Sequence, residues 1–498
     1  MSGPVLAIEH QGFVCRAVLF SADRRILASA REELTPVRPR RGQLELDPAE
    51  LWTAAIATSR SVLVQARVSP GNVAAIGIAG DSSTVIVWDR DSGRPLNNAL
   101  AAGDHRTEAH CAALRQADVD ALVVRHTGLR LGASRAAPKL AWLLDNVGGV
   151  REAASAGRAI YGSSATFLLW RMTDGRVHAA DAATAGDTLL FNSAHQNWDD
   201  ALLDIFDIPA AMLPRVFDNA TYFGAVDAEH FGGSGPVAVH GMTSATQGAL
   251  IGHAGYAAGA TSVTMGPGCS VLLSHGTARV GGLRREEAAI ACRLDGKVTY
   301  ARLASNEGAS DGLDWAQRVF AVSGGLRELD RLAGDVEPSS ALMMVPGRVP
   351  AGYPWLKEPV PGLLTGIDPD DGPADLVRAA LESVAFAAHD IVAALVRGAA
   401  AAPETLRVSG ALAQSERLAQ LLADLAGIPV ERPAVTEAGV LGAAWFAAAG
   451  AGIWPENKVF VAELEMAKRF EPQLTETRRR ERIARWREAV GLALTSRR

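Results

Sequence analysis

The sequence predicts an α/β fold made of two similar units, and three observations support that prediction. The 498 residues exceed what one ordinary hydrophobic core holds, so two or three domains are expected. Short apolar runs flank Gln11-Gly12 near the start, as two strands around a tight turn do. A similar pair of runs flanks Gly266-Pro267-Gly268, beyond a stretch rich in Gly and Pro near residue 240. We therefore expect a duplicated architecture, residues 1–240 and 241–498, with a cleft between the halves.

The first half combines short strands with one clearly marked helix. Asp47-Pro48 is predicted to begin this helix, because Asp is a good N-cap and Pro is preorganised at the first helical position. Short apolar runs bounded by turn residues predict the strands Val5–His10, Cys15–Phe20, Ile26–Arg31, Val73–Ala79 and Thr84–Asp89.

The second half is dominated by a long helical pattern. Apolar residues recur at helical spacing along Leu376–Val396, so we expect an amphipathic helix with Asp375 as its N-cap. Other patterns predict the strands Ser262–Met265, Ser270–Leu273 and Leu406–Ser409, the helix Ser415–Leu425 and the charged helix Glu476–Val490.

Composition and charge exclude several classes of protein. Hydrophobic residues make up 48% of the chain and charged residues 21%, which is typical of a globular protein. The net charge of -6 argues against a nucleic-acid-binding surface. Four scattered cysteines without metal-binding spacing fit a reducing compartment. With neither a signal-peptide pattern nor an unbroken membrane-length apolar run, we expect a cytoplasmic protein without nucleic-acid or membrane partners.

Two motifs are specific enough to indicate a family. Gly362-Leu-Leu-Thr-Gly-Ile367 is followed after seven residues by Asp375-Leu-Val-Arg-Ala-Ala-Leu-Glu382, and this pair resembles the C-terminal signature of the FGGY carbohydrate kinases. The N-terminal signature is matched in its second half by Lys139-Leu-Ala-Trp-Leu-Leu-Asp-Asn146, whereas Ala136 departs from its first half. Further stretches resemble glycerol kinase-like members in order and spacing, among them Leu46–Trp52, Val85–Asp89, Asp187–Asn192, Ile208–Leu213 and Val440–Ala444.

The resemblance implies an actin-like, ribonuclease H-like ATPase fold with an interdomain cleft. ATP and Mg²⁺ are expected in that cleft, with a small sugar or polyol bound mainly by residues 1–240 and the nucleotide by residues 241–498. Closure of such a cleft excludes water, which competes with the sugar hydroxyl as phosphoryl acceptor. The family also implies a homodimer or a homotetramer.

Several loops depart from the family pattern where phosphoryl transfer is expected to occur. Glu9 retains a carboxylate for Mg²⁺ and is a candidate catalytic residue, but the glycine of its hairpin has moved to Gly12 and the hydroxyl residues are gone. In the second phosphate turn Pro267 has no N–H to donate, although Gly266 and Gly268 still allow phosphate to approach the backbone.

The most specific departure is the absence of a catalytic carboxylate. The family base aligns with Ala245, and no Asp or Glu occurs between Glu229 and Glu286. Losing a general base typically lowers the rate about 10²–10⁴-fold. Glu9 and Asp81 are candidates to replace it.

The resemblance assigns the remaining candidate site residues. At the sugar site, Ser82-Ser83 replaces an Arg-Glu pair, and Ala102-Gly103 replaces an aromatic residue, which disfavours glycerol and leaves room for a larger polyol or ketose. The substrate candidates are Asp81, Ser82, Asp104, His105 and Arg106, and the nucleotide candidates are Gly12, Gly266, Gly268, Gly312, Gly410, Ala411 and Ser415. An alternative for Asp104 and Arg106 is a buried structural pair.

Three hypotheses follow from this pattern. The first is an ATP-dependent carbohydrate kinase with a remodelled active site. The second is a degenerate kinase that binds sugar or nucleotide without phosphoryl transfer, because the scaffold motifs are intact while the catalytic loops are altered. The third is actin-like assembly, which shares the fold, although fold alone does not assign function.

Overall fold

The computed structural model describes residues 3–266, 268–280, 286–321, 324–334 and 341–495. Up to residue 244 the strands are β1 Val5–Gln11, β2 Val14–Phe20, β3 Ile26–Glu33, β4 Glu45–Leu46, β5 Ala75–Gly80, β6 Ile86–Asp89, β7 Ala99–Leu100, β8 Ala159–Gly162, β9 Ala179–Asp181, β10 Phe191–Asn192, β11 Asn197–Trp198, β12 Arg215–Phe217, β13 Ala220–Asp227 and β14 Pro236–Ser244. The helices are α1 Pro48–Ala66, α2 Glu108–Gln116, α3 Val119–Thr127, α4 Ala136–Asn146, α5 Val150–Ser155, α6 Ser164–Met172, α7 Ala182–Gly186 and α8 Asp200–Phe206.

The remaining elements follow in the second half of the chain. The strands are β15 Thr261–Met265, β16 Cys269–Gly276, β17 Glu287–Leu294, β18 Lys297–Asn306, β19 Met343–Val345, β20 Leu363–Thr365, β21 Leu406–Ser409, β22 Val430–Pro433 and β23 Met466–Phe470. The helices are α9 Ala245–Ala249, α10 Asp311–Val319, α11 Gly325–Gly334, α12 Pro373–Val396, α13 Glu416–Ala426, α14 Ala438–Gly450, α15 Asn457–Ala462 and α16 Glu476–Thr495, with a π-helical turn at Leu250–Ala254 directly after α9.

Two large sheets, of six and seven strands, share the pairing pattern of their central strands. The first has the order β13-β14-β5-β1-β2-β3 and the second β17-β18-β16-β15-β21-β22-β23. In the first, β1 pairs antiparallel with β2 and parallel with β5; in the second, β15 pairs antiparallel with β16 and parallel with β21. Each sheet thus combines an antiparallel meander with parallel strands that end at a common edge. This repeat confirms the predicted duplicated α/β architecture and matches the ribonuclease H-like plan.

Helix α14 fills one face of the first sheet although it lies late in the chain. It packs on β1, β5 and β14. Gly77 of β5 allows this close approach, because a Cβ there would collide with the carbonyl of Ala443. The other face of the first sheet is covered by α1 and α6, and α12 lies at the centre of the second core.

The start of α12 differs from the prediction. Its N-cap is Gly372 rather than Asp375, and Asp375 occupies the third helical position. From there its Oδ2 accepts a hydrogen bond from the N–H of Gly372 at 2.9 Å, as the acidic residue of a capping box does. Among the described helices α12 is also the one long and apolar enough to cross a membrane, but 89% of its most apolar window is buried, as expected for a core helix.

Candidate active site

The hairpin between β1 and β2 turns at Gly12. Gln11 pairs with Val14 across a two-residue turn, and Gly12 has a φ of 61°, which suits glycine. Glu9 is 2% exposed, and its Oε2 lies 3.2 Å from Nε of Arg16. Burial raises the pKa of Glu9 to about 7, against the opposing effect of Arg16, and the nearby charge of Glu437 raises it further.

The end of β14 leads into Ala245, the position at which the sequence resemblance predicts a catalytic acid. Ser244 pairs with Gly80 at the ends of the parallel strands β14 and β5, so the residues that follow these strands lie side by side. Ser244 is the N-cap of α9 and accepts a hydrogen bond from the N–H of Gln247. Ala245, the first residue of α9, is 3% exposed and packs in an apolar cluster with α14. The position therefore holds a buried methyl group.

A carboxylate from another element reaches this edge. Oδ2 of Asp187 accepts a hydrogen bond of 2.8 Å from Oγ of Ser82, and Nε2 of Gln247 lies 3.0 Å from both oxygens of the same carboxylate. Ser82 follows β5 and Gln247 lies in α9. The carboxylate of Asp187 therefore links the loop after β5 to the first turn of α9. Burial raises the pKa of Asp187 to about 6, although Arg135 and both hydrogen-bond donors lower it.

Asp187 lies in one of the stretches whose sequence resembles the family, but no role was predicted for it. The sequence did carry a signal, because Asp187 is the one charged residue in the largely apolar stretch Ala182–Phe191. A charged side chain in such a run needs partners, and these partners come from distant parts of the chain. Ser82 was a candidate site residue, and the structure brings it together with Asp187 and Gln247.

Lys139 contacts the backbone of three loops. Its ammonium group donates to the carbonyl oxygens of Ala101, Ser83 and Ser134 at 2.7, 2.9 and 2.9 Å. The side chain is fully buried, and burial lowers its pKa to about 8. Lys139 therefore fixes the relative positions of three loops.

Asp104 and Arg106 form a buried ion pair. Nε of Arg106 donates to Oδ1 of Asp104 at 2.8 Å, and its Nη2 also contacts Glu45 at 2.7 Å. The guanidinium group stacks 4.5 Å from the ring centre of Trp142. Since Asp104 is fully buried and also accepts from the N–H of Leu44, this cluster braces its loop; His105 is exposed.

Asp81 is half-buried directly after β5. Its Oδ1 accepts a hydrogen bond from the N–H of Ser83 at 2.9 Å, and its own N–H donates to Oγ of Ser164. Asp81 therefore shapes the loop that carries Ser82.

The corresponding edge of the second sheet is built from close backbone contacts. Gly410 has a φ of 88°, and a Cβ there would collide with the carbonyl oxygen of Met265. Oγ1 of Thr264 and Oγ of Ser409 lie 3.0 Å apart at the same edge. The N–H of Gly266 donates to the carbonyl of Gly268 at 2.8 Å, which closes the turn. Pro267, which the sequence suggests interrupts phosphate binding, lies outside the described residues.

Ser415 is fully buried at the start of α13. Its Oγ accepts from the N–H of Leu418 and donates to Oδ1 of Asp330 at 2.6 Å. Ser415 thus caps the helix, whereas the candidate Ala411 is exposed.

A cavity of about 420 Å³ opens beside Gly312. Its lining is mixed, with apolar side chains and glycine backbone around the indole of Trp315. Asp311 at its rim pairs with Arg348 at 2.5 Å. The lining residues are Asp311, Gly312, Trp315, Met344, Val345, Pro346, Gly347, Gly362, Leu363 and Leu364. The cavity is flanked by the C-terminal signature, since Gly362–Leu364 belongs to it.

Within the described ranges, no group of three or more His, Cys, Asp or Glu side chains is placed to hold a metal ion. Glu9 and Glu437 nevertheless bring two carboxylates within electrostatic reach, and the charge of Glu437 contributes to raising the pKa of Glu9. Mg²⁺ needs few protein ligands, because it retains several waters. This pair fits an ion held through water.

The duplicated fold and its two edges define the class of this protein as an actin-like, two-domain phosphotransferase. The model of the FGGY carbohydrate kinase N-terminal domain matches residues 5–252, and that of the C-terminal domain matches residues 234–451. The chain therefore belongs to the FGGY family of carbohydrate kinases, in which ATP phosphorylates a sugar or polyol hydroxyl.

Relatives and solved structures agree with this assignment. A glycerol kinase of Allorhizobium ampelinum is 38% identical over 498 residues, covering 100% of both chains. A glycerol kinase of Brucella ovis is 38% identical and covers 99% of both. The structure of Plasmodium falciparum glycerol kinase with ADP superposes with a TM-score of 0.91 at 23% identity, covering 99% of this chain and 98% of that one. A xylulose kinase of Lactobacillus acidophilus gives 0.81 at 17% identity, covering 99% and 97%. These structures support the fold.

Proposed function

We propose that this protein transfers the γ-phosphoryl group of ATP to a hydroxyl of a polyol or ketose larger than glycerol. The observation that carries the proposal is the polar edge of the first sheet, where Ser82, Asp187 and Gln247 form a hydrogen-bonded group. Sugars need such a mixture of donors and acceptors, since each hydroxyl both donates and accepts.

The size of the acceptor follows from the side chains at this edge. Ser82 and Ser83 are small where related enzymes carry a longer Arg-Glu pair, and Ala102-Gly103 is small where they carry an aromatic residue. Lys139 holds the backbone of these loops in place through hydrogen bonds to the carbonyl oxygens of Ser83 and Ala101. The relatives are named glycerol kinases. Activity with larger polyols is therefore compared with activity on glycerol.

The nucleotide is assigned to the second half of the chain. Gly266 has open space where a Cβ would lie, so phosphate can approach the backbone there, and the cavity at Gly312 and Trp315 has the size and apolar character suited to a nucleoside. We assign the sugar side to residues 1–240 and the nucleotide side to residues 241–498.

Mg²⁺ would be held through water by Glu9, with Glu437 nearby. When bound, the ion neutralises charge on the β- and γ-phosphates. Arg16 offsets the charge of Glu9 in its absence, because its Nε lies 3.2 Å from the carboxylate.

Phosphoryl transfer depends mainly on the positioning of the reacting groups and on electrostatic stabilisation of the transition state. Ser82 and Gln247 orient the acceptor edge, and the interdomain cleft excludes water from the reacting groups. Asp104 and Arg106 act indirectly, because their ion pair holds the loop that contains His105. We place the enzyme in the cytoplasm and propose a homodimer or homotetramer.

The test measures ADP formation with ATP, Mg²⁺ and a panel of glycerol, tetritols, pentitols and ketopentoses. We expect ADP above the rate with water alone, and a higher kcat/KM for at least one five-carbon acceptor than for glycerol. A rate no higher than that with water for every acceptor would overturn the proposal. ATP-analogue binding in that case would identify a degenerate kinase, which is the alternative raised by Ala245.

A further inference from the structure

The start of α9 retains the hydrogen-bonding groups of a catalytic position without the acid. Ser244 and Gln247 flank Ala245 in the first turn, and Oγ of Ser244 hydrogen-bonds to Oε1 of Gln247. Because the amide oxygen is occupied in this way, the amide nitrogen of Gln247 is directed towards Asp187. The first turn of α9 therefore holds a carboxylate that its own sequence does not supply.

Asp187 is fixed from two sides but retains acceptor capacity. Ser82 donates to Oδ2, and Gln247 bridges both oxygens with a single nitrogen. A carboxylate offers about four lone-pair sites, so Oδ1 remains able to accept a proton. Asp187 is 6% exposed, so it is buried but keeps a small solvent-accessible area.

The charges around Asp187 come from three other elements. Arg135, directly before α4, attracts the carboxylate, but its Nη2 is also paired at 2.7 Å with Glu287 of β17. Tyr161 of β8 is buried close by, and the Asp187 charge contributes to raising the pKa of its hydroxyl. The net result is a pKa of about 6 for Asp187, raised mainly by burial. A base with a pKa near the working pH transfers protons most efficiently.

The other nearby carboxylates are less suited to this role. Glu9 pairs with Arg16, and its carboxylate packs against Gly439 of α14. Asp81 uses Oδ1 to hold the N–H of Ser83 and so maintains the loop rather than the acceptor.

We propose that Asp187 is the proton acceptor of the reaction and replaces the acid that is missing at Ala245. The acceptor hydroxyl gives its proton to Oδ1 of Asp187 while its oxygen forms a bond to the γ-phosphorus. The bond from that phosphorus to the β–γ bridging oxygen breaks, and ADP leaves with the electron pair. Asp187 then releases the proton to solvent, so alcohol and ATP yield phosphate ester, ADP and a proton. This proposal rests on the kinase function proposed above.

The experiment compares wild type with Asp187→Asn, using Asp200→Asn as a matched control. Asp200 is an exposed residue of α8. We expect kcat to fall about 10²–10⁴-fold in Asp187→Asn, with unchanged binding of an ATP analogue. Adding Ala245→Asp to Asp187→Asn places a carboxylate at the family position and is expected to restore at least a tenth of wild-type kcat. Asp200→Asn is expected to match wild type.

The outcomes separate this inference from the proposed function. An active wild type with Asp187→Asn within two-fold of its kcat would overturn the role of Asp187 and leave the kinase intact. A wild type without turnover on any acceptor would overturn both. Failure of the double variant to recover, with Asp187→Asn folded and inactive, would also contradict a role as base and indicate a structural role.

A second variant decides the matter if Asp187→Asn does not fold. When kcat of the wild type is measured against pH, its fall on the acid side is expected to have a midpoint near pH 6. This fall is the acid limb of the profile. Gln247→Leu removes a donor to the charged carboxylate, so that limb is expected to move to higher pH. An unmoved limb in Gln247→Leu would overturn the proposal.

Discussion

The two sheets of this molecule share the pairing pattern of their central strands, but their corresponding edges differ in the groups that form them. The first edge is a network of buried polar and charged side chains around Asp187 and Lys139. The second edge consists of glycine turns and close backbone contacts, as at Gly410 against Met265. Under the proposed function, the first edge sets proton and hydrogen-bond chemistry, and the second sets the shape of a phosphate and nucleoside site. Substitutions at the first should depend on pH, and those at the second should not.

Gly410→Ala is the substitution with the largest expected effect on stability. Its positive φ and the collision of a Cβ with the carbonyl of Met265 are expected to lower the free energy of unfolding by about 2–4 kcal/mol. Urea unfolding measures this loss, which should be equal at pH 6 and pH 8. Gly266→Ala is the control, because a Cβ there has open space. Equal losses in the two variants would break the account of the second edge as a shape-determined site.

Lys139→Met tests whether Lys139 holds the loops at the first edge in place. The change leaves three carbonyl oxygens without their donor, and we expect a loss of about 2–3 kcal/mol in the free energy of unfolding. KM for the acceptor should rise while the affinity for ATP analogues stays constant, because the three loops lie on the sugar side. A change confined to nucleotide affinity would contradict this placement.

Asp187→Asn is expected to stabilise the protein at pH 8. The pKa of Asp187 is raised from 3.8 to about 6, so the folded state disfavours the charged form. The stability associated with the neutral form is complete below pH 3.8 and is lost as pH rises through 6. At pH 8 the variant avoids that cost, and we expect a gain of about 1–2 kcal/mol that shrinks towards pH 4. Thermal unfolding across this range measures it; a pH-independent difference would argue against a buried charge.

Ala411→Gly is expected to have the smallest effect. Ala411 is exposed beside the Gly410 turn, so removing one methyl group should change KM for ATP by less than about three-fold. A larger change would show that this methyl group limits the nucleotide site.

The sequence predicted the architecture well because periodicity and turn residues are local signals. The strand Leu406–Ser409 was predicted with the bounds the structure has, and the hairpin at Gly12 follows from its flanking apolar runs. The N-cap of α12 was wrong by three residues, since Asp375 acts through a reciprocal bond to Gly372 instead of capping directly. Helix ends depend on such short-range competition among polar groups.

The site was less predictable, since its partners are far apart in the chain. Asp187 and Gln247 are 60 residues apart, and Ser82 and Asp187 are 105 apart. No local pattern links them; only the packing of α9, β5 and α7 does. The absence of an acid from 230 to 285 was visible in the sequence, whereas the carboxylate that lies beside Gln247 required the fold.

The most direct test of the account is phosphorus NMR of a reaction containing the enzyme, ATP, Mg²⁺ and the best acceptor of the panel. The account predicts one phosphate monoester formed for each ADP, with little inorganic phosphate, because the acceptor edge is organised without the acid at position 245. Free phosphate equal to ADP, or no change in the ATP signals while ATP remains bound, would contradict it.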